Sequence, residues 1–87
     1  VIHLIKAIKA LNQAKKLAPD NGEVAFSAAL VYSQLGEHIS AVNQVEEALI
    51  SGFGFVWFNL PWFDPLCTNE NFQQLSIKAG KAERCQL

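Results

Sequence analysis

Apolar residues in the first part of the chain recur every three or four positions, which is the spacing of one face of a helix. Most of the nearby lysines lie off this first stripe, which consists of Ile5, Ile8, Leu11 and Leu17. We predict a helix from Ile2 to Ala18 that ends at Pro19, because the residue before a proline disfavours the helical conformation.

Two further helices are predicted before the pattern changes. Asp20 or Asn21 can cap the second helix, whose apolar stripe runs as far as Gly36. A third helix is predicted from Glu37 to Ser51. The chain has no alternation of apolar and polar residues long enough to indicate a sheet. The pattern therefore favours an all-α fold.

The first and third predicted helices share one pattern at an offset of 34 residues. The shift aligns alanines with alanines and large apolar residues with large apolar residues. The aligned residues are Ala7, Ile8, Leu11 and Ala14 with Ala41, Val42, Val45 and Ala48. A constant period of this length is typical of stacked helical repeats, whose units close a core between neighbours and leave the outer surface to partners. The period favours a binding module over a catalyst.

These residues resemble the tetratricopeptide repeat, which has an alanine, a large apolar residue, a second alanine and a proline at fixed spacings. The matching residues are Ala7, Leu11, Ala14 and Pro19, followed in the next unit by Tyr32, Gly36, Ala41, Val45 and Ala48. In that family the small residues let two helices approach closely and the glycine turns the hairpin. The unit of residues 22–55 departs from the family pattern at Ala25 and Ala28, where bulkier residues are usual, and at Phe53, which replaces the closing proline. These departures indicate the end of an array, and the resemblance covers residues 5–53.

The resemblance implies an all-α fold of antiparallel helical hairpins in a right-handed superhelix, closed by a C-terminal capping helix. Residues 1–87 then form one domain fragment. Its parts are the second helix of a partial repeat (2–18), a full repeat (22–55), an aromatic capping segment with the last helix (56–80) and a tail (81–87). Because the chain opens inside a helical pattern without a capping residue, we expect further repeats upstream. In an isolated piece, Ile2, Ile5 and Ile8 of the first helix are the candidate surface for self-association.

Six of the nine aromatic residues are concentrated in residues 53–63, here named the aromatic segment. This segment is too short to cross a bilayer, which requires about 20 helical residues. It also lacks the neighbouring basic residues of a membrane-surface anchor. The favoured interpretation is a packed cap over the end of the helical stack, because large rings bury much area per ordered residue. An exposed aromatic binding patch is the alternative.

The residues after the aromatic segment favour the capping interpretation. Asp-Pro-Leu at residues 64–66, followed by Phe72 and Leu75, resembles the segment that closes tetratricopeptide arrays in many bacterial regulators, kinases and cyclases. Three residues stand where arginine, proline and arginine are common, namely Cys67, Glu70 and Asn71. Thr68 or Asn69 can cap a last helix.

By the same resemblance, the concave face of the array belongs to the first helix of each hairpin. The residues expected to line a partner-binding groove are Glu23, Phe26, Leu30, Ser33 and Gln34. Phe26 and Leu30 would supply apolar contact, and the three polar residues would orient a peptide through hydrogen bonds. The alternative is that Phe26 and Leu30 pack against the preceding helix. Phe26, Ser27 and Leu30 replace the lysine and asparagine of repeats that grip a peptide carboxylate, which argues against such a clamp on this unit.

Candidate catalytic and metal-binding residues are few. His3 and His38 have no cysteine, aspartate or second histidine at metal-ligand or triad spacing, and the chain has no glycine-rich phosphate loop. We therefore expect no enzymatic activity, no metal site and no cofactor. Cys67 and Cys85 do not form a C-x-x-C pair. With only two thiols and no clear secretory signal, we expect both to be reduced, with a disulfide as the alternative.

The charge narrows the class of partner. A net charge of −1 does not provide the broad basic surface that nucleic-acid binding requires. The predicted function is a non-catalytic protein–protein interaction module that binds a protein or peptide in the cytoplasm. Two alternatives are a purely structural C-terminal cap in a larger bacterial signalling or regulatory protein, and docking to a membrane surface through Trp57 and Trp62.

Overall fold

The computed structural model describes residues 2–85, and every regular element in that range is helical. Four α-helices are present: α1 (Ile2–Leu17), α2 (Gly22–Leu35), α3 (His38–Ile50) and α4 (Glu70–Lys78). Three short 3-10 helices span Phe55–Phe58, Pro61–Thr68 and Ala82–Cys85. The all-α prediction is confirmed for the described residues, and the predicted bounds of α1 and α3 lie within one residue of the observed ones.

Helices α2 and α3 form an antiparallel hairpin with local signals at both ends of α2. At its start, the Asn21 side chain accepts hydrogen bonds from the backbone N–H groups of the second and third residues that follow it. At its end, Gly36 has φ +79°, a left-handed conformation that glycine adopts without steric cost. The chain then returns, so that Phe53, just after α3, lies beside Gly22 at the start of α2.

The core lies where α2 and α3 meet the aromatic segment and α4. Alanines on the facing sides of α2 and α3 allow close approach, and phenylalanines fill the space between this hairpin and the later elements. The buried core residues are Ala25, Ala29, Ala41, Val42, Val45, Ala48, Phe55, Phe58, Phe63, Leu66, Cys67 and Phe72. The aromatic segment is thus an integral part of the core.

Helix α1 is packed less completely than its sequence counterpart α3. Ala41 and Ala48 of α3 are fully buried, whereas the equivalent Ala7 and Ala14 of α1 are only half-buried. Among residues 3–17, no side chain is buried, because α1 packs mainly against α2 and has no counterpart of the aromatic segment over its other side. The repeated sequence pattern therefore does not produce equal burial.

A short C-terminal stretch, residues 81–85, folds back over the aromatic segment and is here named the strap. Arg84 of the strap is buried, and its guanidinium donates to the carbonyl oxygens of Phe58 (3.0 Å) and Leu60 (2.9 Å). The same guanidinium forms an ion pair with Asp64 at 2.8 Å. A buried charge requires such partners, so these contacts fix the strap in place.

The strap also carries a disulfide between Cys67 and Cys85, whose Cα atoms are 5.2 Å apart. The expectation that both cysteines are reduced is therefore wrong, and the alternative, a disulfide, is observed. Sequence spacing could not show this pairing, because it depends on the strap returning to the second 3-10 helix after α4. The cytoplasmic location stays a prediction, and disulfides persist mainly in oxidising compartments.

Candidate partner-binding surface

The predicted groove helix, α2, meets the aromatic segment along one side. The ring of Phe26 lies at centroid distances of 5.2 Å from Phe53, 5.4 Å from Phe58, 5.7 Å from Phe63 and 6.4 Å from Trp57. These distances are typical of aromatic pairs in protein cores. Phe26 therefore packs against the aromatic segment. This position differs from the predicted open groove and from the alternative of packing against α1.

Two other predicted groove residues also make contacts in the interior of the fold. Ser33 is 3% exposed, and its hydroxyl donates a hydrogen bond to the backbone carbonyl of Trp62 at 2.9 Å. Leu30 is half-buried and packs against the core. The Ser33 hydroxyl is thus engaged within the fold and is not free to orient a peptide. The sequence pattern of α2 does not reveal this, because the cap that covers it comes from residues about thirty positions later.

The remaining two predicted residues, Glu23 and Gln34, are exposed near opposite ends of α2. The two tryptophans of the aromatic segment are also exposed, Trp57 to 54% and Trp62 to 53%. The Trp57 ring contacts α2 at Phe26, and the backbone carbonyl of Trp62 accepts a hydrogen bond from Ser33 of α2. These anchor residues are seven positions apart, which corresponds to about 10 Å along a helix. We name this region the α2 surface and define it as Glu23, Leu30, Gln34, Trp57 and Trp62.

The 3-10 helices explain why phenylalanines and tryptophans of one segment differ in burial. A 3-10 helix has three residues per turn, so positions three apart lie on the same side. Phe55 and Phe58 are both buried, while Trp57 between them points outward. In the second 3-10 helix, Phe63 is buried and Trp62 is exposed. The packed-cap interpretation holds for the phenylalanines, whereas the tryptophans correspond to the alternative of an exposed patch.

The three-residue period is the signal that sequence reasoning missed. Phe55 and Phe58 are three apart, as are Phe63 and Leu66, and all four are buried. Within each 3-10 helix this period separates the inward rings from the outward tryptophan. Trp57, Leu60 and Phe63 are also three apart, so the period has to be applied to each 3-10 helix separately.

Charged groups contribute little to the α2 surface. Glu23 is its only ionisable member. The Lys15–Glu47 ion pair, with Nζ and Oε2 2.6 Å apart, joins α1 to α3, and Asp64 is paired with the strap. Within residues 2–85, no group of three or more histidine, cysteine, aspartate and glutamate side chains is placed to hold a metal ion. No helix in that range is long and apolar enough to span a bilayer.

The α2 surface is therefore a mixed aromatic and polar surface. Comparison of the chain with protein-family models, with curated proteins and with solved structures finds no match.

Proposed function

We propose that this chain is a non-catalytic protein–protein interaction module of the tetratricopeptide-like helical-repeat type, and that it binds a peptide or protein segment on the α2 surface. The observation that carries the proposal is the pair of half-exposed tryptophans held at two points along α2. The 34-residue period, the antiparallel α2–α3 hairpin and its Gly36 turn support the repeat assignment.

The tryptophans are suited to binding because their backbone is already fixed. Each lies in a 3-10 helix whose phenylalanines are buried, so the indole is presented from a packed core. Preorganised contact groups reduce the ordering that association requires. Tryptophan is also among the residues most enriched at binding hot spots. The two indoles would therefore supply most of the binding free energy.

The polar members of the α2 surface would set the orientation of the ligand. Glu23 and Gln34 are exposed near opposite ends of the helix and offer a carboxylate and an amide. A partner segment with two apolar anchors, one for each indole, and a hydrogen-bond donor or basic group near Glu23 fits this arrangement. This matches the polar rim around an apolar centre that protein interfaces commonly show.

Selection from a library of random peptides displayed on phage tests the proposal. Peptides enriched on the disulfide-bonded protein should lose at least about tenfold in affinity for the double variant Trp57→Ala/Trp62→Ala, because removing an anchor costs 1–2 kcal/mol or more. Ile39→Ala is the matched control, since Ile39 is an exposed apolar residue of α3 outside the α2 surface. Circular dichroism checks that each variant is folded. Failure to enrich any peptide, or equal affinity for all variants, would contradict the proposal.

A second candidate function is a structural cap of a longer helical array, which α1 favours. No described side chain of α1 is buried, and Ile5 is 47% exposed, so this helix has an apolar face to offer to another helix. Fusing a consensus helical hairpin ahead of residue 1 should then raise the midpoint of thermal unfolding. The rise should disappear when the exposed Ile5 is replaced by glutamate. No change on fusion would contradict the cap function and leave the peptide proposal untouched.

A further inference from the structure

The two sulfur atoms of the Cys67–Cys85 disulfide have different surroundings. Cys67 belongs to the second 3-10 helix and is buried against the strap. Cys85 is half-buried and lines an open cavity of about 220 Å³. The other residues that line this cavity are Gln73, Ser76, Ile77 and Ala82. A small molecule in the cavity therefore reaches Cys85 before Cys67.

A cation lies beside the buried sulfur. Nη1 of Arg84 is 3.9 Å from Sγ of Cys67, and the Arg84 side chain is only 5% exposed. Its other donors are held by backbone carbonyls, so the guanidinium cannot easily turn away. A thiolate formed at Cys67 would be stabilised by this charge, which a buried anion requires. Asp64, which shares the guanidinium, is 43% exposed and can exchange the ion pair for water.

We propose that Cys85 is a site of thiol–disulfide exchange, with low-molecular-weight thiols as its reactants and Cys67 as the leaving group. The thiolate of the incoming molecule attacks Cys85 Sγ from the cavity. A new sulfur–sulfur bond forms between them, the Cys67–Cys85 bond breaks, and its electron pair leaves on Cys67 as a thiolate beside Arg84. A disulfide is consumed and a mixed disulfide is formed, so the first step is balanced.

The surroundings of the leaving group and of the attacked sulfur determine which of the two cysteines reacts. Exchange is faster when the departing sulfur bears its negative charge in a stabilising environment, and when the attacked sulfur is accessible. Here both factors point the same way, because Cys85 is accessible and Cys67 lies next to the guanidinium. When the reactant is a dithiol, its second thiolate attacks the mixed disulfide and releases Cys85, so the dithiol supplies both electrons and becomes a disulfide.

Exchange at Cys85 would loosen the strap. The disulfide closes a loop of sequence separation 18 that contains α4. The Arg84 contacts and the backbone bond from Lys81 N–H to Ser76 O at 2.8 Å also hold the strap. Removing a cross-link restores freedom to the chain that it constrained. Reaction at Cys85 would therefore also release the strap from the aromatic segment in a redox-dependent way. This inference is independent of whether the α2 surface binds a peptide.

Glutathione is the probe for the experiment. The oxidised protein is mixed with reduced glutathione, quenched with acid in the initial phase, and mapped by mass spectrometry of its peptides. We expect the mixed disulfide on Cys85 to exceed that on Cys67 by at least about fivefold. In concentrated urea the preference should vanish, because it depends on the folded surroundings of the two sulfurs. Equal modification in the folded protein, preference for Cys67, or free thiols in place of the disulfide would overturn the proposal.

Two variants test the role of the cation. Arg84→Gln removes the guanidinium and should reduce the preference for Cys85 toward one. Asp64→Asn removes only the competing carboxylate, so it should keep or increase the preference. Circular dichroism reports whether each variant is folded, and if Arg84→Gln is not, the Asp64→Asn result decides. An unchanged preference in folded Arg84→Gln, or a reduced one in Asp64→Asn, would overturn the assignment of Cys67 as the leaving group.

Discussion

Replacing Phe58 by alanine tests the finding that the aromatic segment belongs to the core. Phe58 is fully buried, and its ring lies 5.1–6.4 Å from those of Phe26, Phe53, Phe55 and Phe63. Truncating a buried phenylalanine costs about 3–5 kcal/mol, through lost burial and the cavity left behind. A chain of this length has a total free energy of unfolding of roughly 4–13 kcal/mol. Phe58→Ala should therefore remove about a quarter or more of the stability.

The matched control is Trp57→Ala, which removes a larger ring from the neighbouring position. Because Trp57 is half exposed, we expect its loss to cost about 1 kcal/mol. Unfolding in urea is followed by far-ultraviolet circular dichroism, since removing a tryptophan would itself change the fluorescence. With a slope of about 1–1.5 kcal/mol per molar urea, a loss of about 4 kcal/mol lowers the midpoint by roughly 3–4 M.

Phe58→Leu keeps the test measurable if the alanine variant is unfolded in water. We expect this milder change to cost about 1–2 kcal/mol, because leucine refills part of the space. The reasoning is refuted if Trp57→Ala is as destabilising as Phe58→Ala, or if Phe58→Ala leaves the urea midpoint close to that of the parent protein. Either result would mean that the aromatic segment does not pack on α2 as described.

Three further predictions concern helix ends and association. Asn69→Ala removes the cap of α4 and should lower the free energy of unfolding by about 1 kcal/mol in urea titrations, whereas Thr68→Ala should cost less. Gly36→Ala forces a side chain into a left-handed turn and should lower the thermal midpoint by several degrees, corresponding to about 1 kcal/mol. Gly54→Ala, at negative φ, should not. If α1 mediates self-association, sedimentation velocity should show a concentration-dependent dimer that Ile5→Glu abolishes, and a strictly monomeric parent protein would exclude it.

The helices could be predicted from sequence because their signals are local. The stripe of α1, the Asn21 cap and the Gly36 turn each act within a few residues, so the bounds follow from spacing and backbone chemistry. The same holds for Asn69, one of the two caps proposed for the last helix and the one observed at α4. These features depend on no distant part of the chain.

The candidate site could be predicted only in part because its geometry depends on distant contacts. Glu23 and Gln34 are exposed as a groove residue must be, but Phe26 and Ser33 are engaged by a segment about thirty residues downstream. Helical periodicity places these residues on one face without showing what covers that face. The disulfide was missed for a similar reason, since nothing near Cys67 in the sequence indicates the return of the strap.

The contacts of Arg84 have a consequence for the order in which the fold is completed. Its bonds to the carbonyls of Phe58 and Leu60 span 26 and 24 positions. The carbonyls of Phe58 and Leu60 can therefore be satisfied only after the chain has passed through α4 and the strap has turned back. Until the strap has folded back, both carbonyls require water as their partner, so the last step of core closure depends on a single arginine.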